Sequence, residues 1–545
     1  MSDNPAPTGL TDELLHFLKR PGSYPHAPRE VRHIQTHISH VFIVPPYVYK
    51  LKKPVDFGFL DYSSLAKRRT YCHREVQLNR RLTEDIYLGV VGIARREGER
   101  GYLIGSVDQG MDMDPDSGSV VEYAVKMRKL SEEYFLHSYI EEGRLTNRHL
   151  DRVAGRLARF YTGQQQSDEL SEWGAMEQVK VNTDENFSQT KRFIGETIEG
   201  DTFRAIRQYT GDYYRGHGDL FQKRREEGRI VDGHGDLHLE HIYITPEKVM
   251  VYDCIEFNDR FRYGDLAADL AFLAMDLDFN GCWREQRYFV SRMAGKLGDS
   301  DLERIITFYK CYRAYVKGKV KSLQSTEEEV PPEEREKAAG LASRYFSLSL
   351  RYALLGSDAV VVIFMGRVGT GKSTLSGWLS DRLKVSRYSS DHIRKRSMGL
   401  PLTDRTPEDQ RPKLYSREMS EHTYGVLGEQ AAGSDENTVI LDATYSKRED
   451  RERLVEKLES SGRDYLFVEA RCPDETIKER LRRREEQSGV VSDARLEDFD
   501  KLSKAYEPPA ELDDSHLIPV DTNQSIEDSI RELANRLAGR NIKAN

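Results

Sequence analysis

Up to about residue 320 the hydrophobic positions follow two rhythms. Short runs rich in β-branched and aromatic residues, such as Val41 to Val44 and Tyr47 to Tyr49, read as strands, and runs of helical period, such as Leu150 to Tyr161, read as helices. The mixture predicts an α+β unit. From Ser325 to Arg335 the chain is polar and acidic and contains Pro331 and Pro332, which predicts an exposed loop, followed by a helix from about Arg335 to Leu355. At Gly356 the rhythm changes. Ala359 to Met365 is an unbroken apolar run, the pattern of a strand buried on both faces of a parallel sheet. Further runs at Thr438 to Leu441 and Tyr465 to Ala470 alternate with helical stretches, which predicts βαβ units and an α/β domain. The expected boundary therefore divides the chain into 1–355 and 356–545, and no repeat of solenoid period is present.

Composition narrows the class. The 545 residues allow three or four compact units, and 38% hydrophobic residues with 32% charged ones suffice for several cores while excluding wholesale disorder. Lys plus Arg number 82 against 91 Asp plus Glu, a net charge of −9, so no global basic field draws the chain to nucleic acid or anionic lipid, although a local basic groove stays open. Five scattered cysteines (Cys72, Cys254, Cys282, Cys311 and Cys472) form no Cys-x-x-Cys pair, which argues against a disulfide framework and a cysteine-rich zinc site. The first ten residues lack the basic and apolar regions of a signal peptide, and the longest strongly apolar run is too short to span a bilayer, so a cytoplasmic location is expected.

The most specific motif is Gly366-Arg-Val-Gly369-Thr370-Gly371-Lys372-Ser373, which satisfies G-x-x-x-x-G-K-[ST] between the buried strand and a helical run that begins at Thr374. Glycines at these positions let backbone N–H groups close around phosphates at a helix start. Lys372 brings a cation to the β- and γ-phosphates, and Ser373 can ligate Mg2+. Val439 to Asp442 ends a second apolar strand in an acid, where such a site needs a carboxylate beside the metal, so Asp442 is the Walker B candidate. A strand-end Asp is also a common turn or cap residue.

Two further patterns bear on the reaction. Ser389-Ser390-Asp391-His392-Ile393-Arg394 contains Asp-x-x-Arg, and Lys478 to Glu485 is a helical run in which Arg480 and Arg484 share a face at i, i+4. Taken alone, Asp391 could cap the following helix with Arg394 as its partner, and the arginines could form a solvated face. Asp391 with Arg394 resembles small P-loop kinases such as polynucleotide 5′-kinases and zeta-toxin-like enzymes, and the arginine run resembles their lid. With Asp442-Ala-Thr-Tyr and Ser492-Asp493-Ala494, the resemblance covers about Ser357 to Asn545. It implies that Asp391 is the base for an acceptor hydroxyl, that Arg394 grips the acceptor, and that Arg480 and Arg484 bring charge over the transferring phosphoryl group.

A second signature lies upstream. Asp232-Gly-His234-Gly-Asp236-Leu-His238-Leu-Glu-His241 resembles the H-G-D-x-H-x-x-N catalytic loop of aminoglycoside and choline phosphotransferases, relatives of protein kinases, and Val249 to Asp253 then supplies a strand ending in an acid. The resemblance implies a small lobe over about 1–125 and a large lobe over about 126–355. In it Asp236 faces the acceptor hydroxyl, Asp253 holds Mg2+, His234 buttresses the loop, and Asp265 and Asp269 are structural. Tyr47 to Lys50 resembles the strand carrying the ATP-binding lysine and Arg74-Glu75 the helix whose glutamate pairs with it, with Lys52 as an alternative to Lys50. A zinc cluster of His234, His238 and His241 lacks a standard ligand spacing, and the flanking matches favour the kinase-like loop. The sequence departs from this family in two places: His241 stands where the family has a metal-binding asparagine, and Thr36-His-Ile-Ser-His40 stands where a glycine-rich loop is expected. Three readings of this part remain open: an active enzyme with altered metal use, a nucleotide-binding pseudoenzyme, or a module that captures the acceptor.

As a whole the chain resembles a bacterial fusion of an aminoglycoside-phosphotransferase-like domain with a P-loop kinase. The expected activity is ATP- and Mg2+-dependent transfer of the γ-phosphate to a hydroxyl, in one or both parts of a bifunctional protein. The acceptor is a small metabolite or the 5′-hydroxyl end of a nucleic acid. Net charge leans against a long polynucleotide, while Arg394, Lys395 and Arg396 could hold a short end. The rival expectation is a two-domain switch that binds or hydrolyses ATP or GTP without phosphorylating an acceptor.

Overall fold

A computed structural model describes residues 10–95, 101–106, 120–402, 406–485 and 494–544; of the motifs above, Ser492 and Asp493 lie outside these residues. The chain divides into two compact units. One comprises Met1–Val179, Asp219–Asn280 and Tyr288–Leu302, the other Lys180–Gly218, Gly281–Arg287 and Glu303–Asn545.

In the first unit, strands β1 (Arg32–Gln35), β2 (Ser39–Val44), β3 (Tyr47–Lys52), β4 (Tyr87–Arg95), β5 (Tyr102–Ser106) and β6 (Val120–Arg128) form a six-stranded sheet in the order β1-β2-β3-β6-β4-β5. Every pairing is antiparallel. The hairpin register sets Phe42 opposite Tyr49 and Val41 opposite Lys50. Phe42, Val44, Tyr49 and Leu51 join Leu14, Leu18 and Ile93 in one apolar cluster. The helix Leu65–Arg80 packs on β4 and β6. Its composition is strongly polar, yet Cys72, Glu75, Val76 and Asn79, at i, i+3, i+4 and i+7, turn one face inward, so the buried stripe carries a carboxylate and an amide. Two small antiparallel pairs follow, β7 (Ile230–Asp232) with β10 (Tyr263–Asp265) and the hairpin β8 (Ile242–Ile244) with β9 (Val249–Val251). The loop from Gly233 to His241 runs between β7 and β8. Leu150 to Tyr161 falls within the helix Asn147–Thr162.

The second unit is built on a parallel five-stranded sheet of β11 (Val360–Met365), β12 (Arg387–Ser389), β13 (Thr438–Asp442), β14 (Asp464–Arg471) and β15 (Leu517–Asp521), in the order β12-β13-β11-β14-β15. All six residues of β11 are buried, as an apolar run between two parallel neighbours requires. Ser325 to Arg335 is a loop only in its first part. Helix Leu302–Gln324 ends before it, and the next helix, Pro332–Leu355, begins inside it. Proline is tolerated at the first helical position because its missing N–H has no intrahelical partner there, and Glu333 and Glu334 suit the positive end of the helix dipole.

The hydrophobic pattern changes at 355/356, but packing also gathers 180–218 and 303–355 around the C-terminal sheet. Buried Arg351 donates to Thr438 Oγ1 (2.9 Å), Gly356 O (3.0 Å) and Asp358 O (2.7 Å), which stitches the end of helix Pro332–Leu355 to β13. Asp201, in helix Gly200–Gly216, accepts from Trp378 Nε1 (2.8 Å) and Arg382 Nε (3.0 Å) on helix Lys372–Leu383.

Candidate active site

The glycine-rich loop of the second unit leaves the carboxyl end of β11, the central strand, and leads straight into helix Lys372–Leu383. Gly366 has a φ of 132°, and a Cβ there would sit 2.6 Å from Ala470 O, so only glycine lets the loop pass this close to β14. Gly371, with a φ of 93°, begins the helix in a left-handed conformation. Lys372 is then the first helical residue. It is only 8% exposed, and its Nζ donates to the Arg367 carbonyl at 2.9 Å, folded back over the loop. Burial pushes its ammonium down to about 8, against the pull of Asp442 and Asp391. A lysine at a helix start also opposes the dipole, so the loop holds a cation where burial and backbone both disfavour one. An anion would relieve both effects.

Asp442 ends β13, in register with Phe364 of β11 and Ser389 of β12. It is 4% exposed, accepts from Ser376 Oγ at 3.1 Å and lies 3.6 Å from Arg387 Nη1, and Arg387 also donates to Ser373 O at 3.0 Å. Ser373 and Asp442 offer a hydroxyl and a carboxylate, hard oxygen donors that fit Mg2+. Asp391 and Arg394 stand on helix Ser390–Ser397, 3.6 Å apart. Arg394 is buried between Tyr415 and Tyr424, its guanidinium 5.6 and 5.9 Å from the ring centroids. On helix Asp474–Glu485 the two candidate arginines do different work. Arg480 reaches the Thr522 carbonyl (2.5 Å) and lies 3.5 Å from the Gly369 carbonyl, bracing the loop. Burial lowers the Arg484 guanidinium while Asp391 and Asp442 raise it, so this arginine shares the field of both carboxylates. Thr370 Oγ1 donates to Arg367 O (2.8 Å), and the Thr374 N–H bonds Gly371 O.

The first unit gathers its own set of residues. Lys50 Nζ bonds Glu75 Oε1 (3.0 Å) and Asp253 Oδ1 (2.6 Å). Lys52 bonds the other oxygen of the same glutamate, Oε2 (2.7 Å), and also Glu256. The two lysines thus divide Glu75 between them. Lys50 turns toward Asp253, while Lys52, 1% exposed, turns toward Glu256 and Tyr62. Burial opposes the charge on Lys50, but Asp253 and Glu75 outweigh it and hold its pKa well above the ordinary value. Burial alone would raise the Asp253 carboxyl, and Lys50 and His241 bring it well below the usual carboxylate range. Asp253 also has a φ of 63°, a left-handed conformation that costs an L-residue about 1 kcal/mol.

The loop that carries Asp236 hangs on Asp269. This carboxylate accepts from His234 N (2.7 Å), Gly235 N (2.9 Å) and Tyr161 Oη (2.8 Å). A Cβ on Gly233 would fall 2.8 Å from Asp269 Oδ2, so the close approach needs glycine. His234 Nε2 donates to Tyr252 O (2.8 Å), leaving the ring turned into the core. His238 Nε2 lies 3.2 Å from Asp236 Oδ2, and His241 lies between Asp236 and Asp253, its Nε2 3.6 Å from Asp253 Oδ2. Asp265 pairs with buried Arg224, which also binds Asp299. A nitrogen at His241 in place of an oxygen donor does not fit Mg2+.

Tertiary structure brings in several residues with no assigned role in the motifs. Thr522 donates to Thr370 O (2.7 Å), Glu256 completes the Lys52 cluster, Arg387 approaches Asp442, and Asn79 Oδ1 receives the Cys254 N–H (2.9 Å). Only Asn79 had a local signal, as a polar residue on the inward stripe of its helix.

Sheet, loop and strand-end acid together define the class: the second unit is a P-loop α/β domain, and residues 361–509 match the AAA domain family model. The chain is 30% identical over 441 residues, 80% of its length and 82% of the relative's, to an uncharacterized protein of Mycobacterium tuberculosis strain H37Rv. An uncharacterized protein of Mycobacterium bovis matches with the same identity and coverage, and the chain belongs to the family of these mycobacterial proteins. Among solved structures, a gluconokinase from Sinorhizobium meliloti 1021 is 22% identical and covers 33% of this chain and 93% of its own, with a TM-score of 0.25. An APS kinase of Mycobacterium tuberculosis, in complex with AMPPNP and APS, is 16% identical over 33% of this chain and 98% of its own, with a TM-score of 0.24.

Proposed function

We propose that the P-loop domain is an ATP- and Mg2+-dependent phosphotransferase that moves the γ-phosphate to a hydroxyl of a small metabolite or of a nucleic-acid 5′ end. The N-terminal unit would provide a second, aminoglycoside-phosphotransferase-like nucleotide site. The observation that carries this reading is Lys372, a buried ammonium at a helix start, beside the Asp391–Arg394 pair that a bare nucleotide switch has no use for. The loop amides and Lys372 would hold the triphosphate tail. Ser373 and Asp442 would hold Mg2+, which when bound neutralises charge on the β- and γ-phosphates. Asp391 would take the acceptor's proton as its oxygen attacks the γ-phosphorus, the bond to the β–γ bridging oxygen breaks, and ADP leaves with the electron pair. Arg394 would orient the acceptor and Arg484 would face the transferring charge, while Arg480 would keep the loop in shape. In the first unit, Lys50 would neutralise phosphate charge with Glu75 fixing its position, Asp253 would be the carboxylate for a divalent ion, and Asp236 would be the base.

A γ-phosphate transfer assay on a panel of metabolites and 5′-hydroxyl oligonucleotides tests the reading on the full chain. Lys372→Ala and Asp391→Asn should each lower transfer on the order of a hundredfold or more, and Asp236→Ala should leave the P-loop activity in place. Unchanged ATP turnover in Asp391→Asn without any phosphorylated acceptor would favour the switch. A steep loss of binding with salt marks the polynucleotide acceptor, and a shallow one the metabolite.

A further inference from the structure

We infer that Asp236, His238 and His241 form a binding site for a divalent transition metal, best matched to Zn2+ and poorly to Mg2+. One ligand atom from each of the three lies within 4.8 Å of one from the others, and Asp236 Oδ2 is already 3.2 Å from His238 Nε2. A tetrahedral zinc ion with bonds of about 2.0–2.1 Å sets its ligand atoms roughly 3.3 Å apart; the Asp236–His238 pair already has that spacing, and the His241 ring, whose Nδ1 lies 3.8 Å from Asp236 Oδ2, must turn its Nε2 toward them to close the site. The His238 and His241 rings have centroids 3.9 Å apart.

The protonation state of His241 suits ligation. Its Nδ1 contacts the Asp236 carbonyl at 2.8 Å, which requires a proton on Nδ1 and leaves the lone pair on Nε2. A ring N–H held by a backbone carbonyl is how metal-bound histidines are commonly oriented. Asp253 Oδ2 lies 3.6 Å from that Nε2 and offers a further carboxylate oxygen.

His234 is not part of the set, because its Nε2 bonds Tyr252 O and its Nδ1 receives the Asp236 N–H. The three-histidine cluster considered from sequence is thus replaced by one carboxylate and two imidazoles. The loop is held from outside as well: Asp276 Oδ2 accepts the Leu239 N–H at 2.9 Å, and Asp269 fixes His234 and Gly235. Such a framework distinguishes the cluster from a chance gathering of surface side chains. Two nitrogens and one oxygen favour zinc-like ions of borderline softness over Mg2+, which prefers six oxygens. A bound ion would claim the Asp236 carboxylate, and with it the base proposed for the N-terminal site. The inference does not depend on phosphotransfer at the P-loop, and loss of that activity would leave it untouched.

The test uses the untagged full chain, stripped with a chelator and titrated with Co2+ as a spectroscopic stand-in. One equivalent should bind with the intense visible bands of a four-coordinate site, be displaced by Zn2+, and be unaffected by millimolar Mg2+. His238→Gln and His241→Asn should each weaken Co2+ binding on the order of a hundredfold, while His33→Gln, outside the cluster, should match the wild type. Should the ligand variants unfold, X-ray absorption on zinc-loaded wild type decides, with two nitrogen ligands supporting the site and an all-oxygen shell refuting it. Absence of a stoichiometric Co2+ spectrum in the wild type, or its full retention in both histidine variants, overturns the inference.

Discussion

Nucleoside triphosphate binding at the P-loop should weaken about tenfold between pH 7 and pH 9, and the loss should belong to Lys372. Burial sets its ammonium near 8 in the ligand-free chain, with Asp442 and Asp391 pulling the value up and Arg484 pushing it down. At pH 7 about nine chains in ten carry the charge; at pH 9 about one in ten does. A triphosphate that binds the charged lysine raises its pKa in the complex. Affinity is therefore full below about 8 and falls as the pH climbs past it, by roughly 1.4 kcal/mol at pH 9. The assay is a calorimetric titration with a non-hydrolysable ATP analogue at constant Mg2+ across this range, on wild type and Lys372→Arg. Arginine stays charged throughout, so the variant's profile should be flat. A flat wild-type profile, or an equal slope in Lys372→Arg, would refute the reasoning. The sign reverses for folding. Between about pH 8 and the ordinary lysine value the unfolded chain keeps a proton that the folded loop has lost, so this residue makes the ligand-free chain more stable as pH rises.

Asp269→Ala strands two buried N–H groups and a tyrosine hydroxyl, which should cost the first unit about 3–5 kcal/mol in urea denaturation, with Asp269→Asn recovering part. A loss under about 1 kcal/mol would mean that the loop is held elsewhere. Asp201→Ala removes the acceptor shared by Trp378 and Arg382 and should lower the stability of the second unit by about 1–2 kcal/mol, read as a lower melting temperature and a change in tryptophan fluorescence.

Local pattern was a good guide wherever the determining interactions are close in sequence. The buried run at Val360–Met365, the glycines after it and the helix that follows form one continuous strand-loop-helix stretch. The strand carrying Lys50 and the helix carrying Glu75 were equally visible, one by its β-branched and aromatic residues and the other by its resemblance to a known family. Which lysine reaches which acid was not. Lys50 and Lys52 lie on the same face of β3, and their division between Asp253 and Glu256 is set by partners some 200 residues away, at separations of 203 and 204.

Sequence by itself determined the order of elements, the phosphate-binding loop and the chemical types collected near each site, because propensity, glycine geometry and hydrophobic period act over a few residues. Only the tertiary structure decided that Arg480 braces the loop while Arg484 lies in the field of Asp391 and Asp442. It alone made Asp269 the anchor of the Asp236 loop, drew residues 180–218 and 303–355 to the C-terminal sheet, and set two imidazoles and a carboxylate together at the turn around His241. Those outcomes follow from burial. A polar group withdrawn from water must find a partner, and the partner is whichever group packing brings within reach.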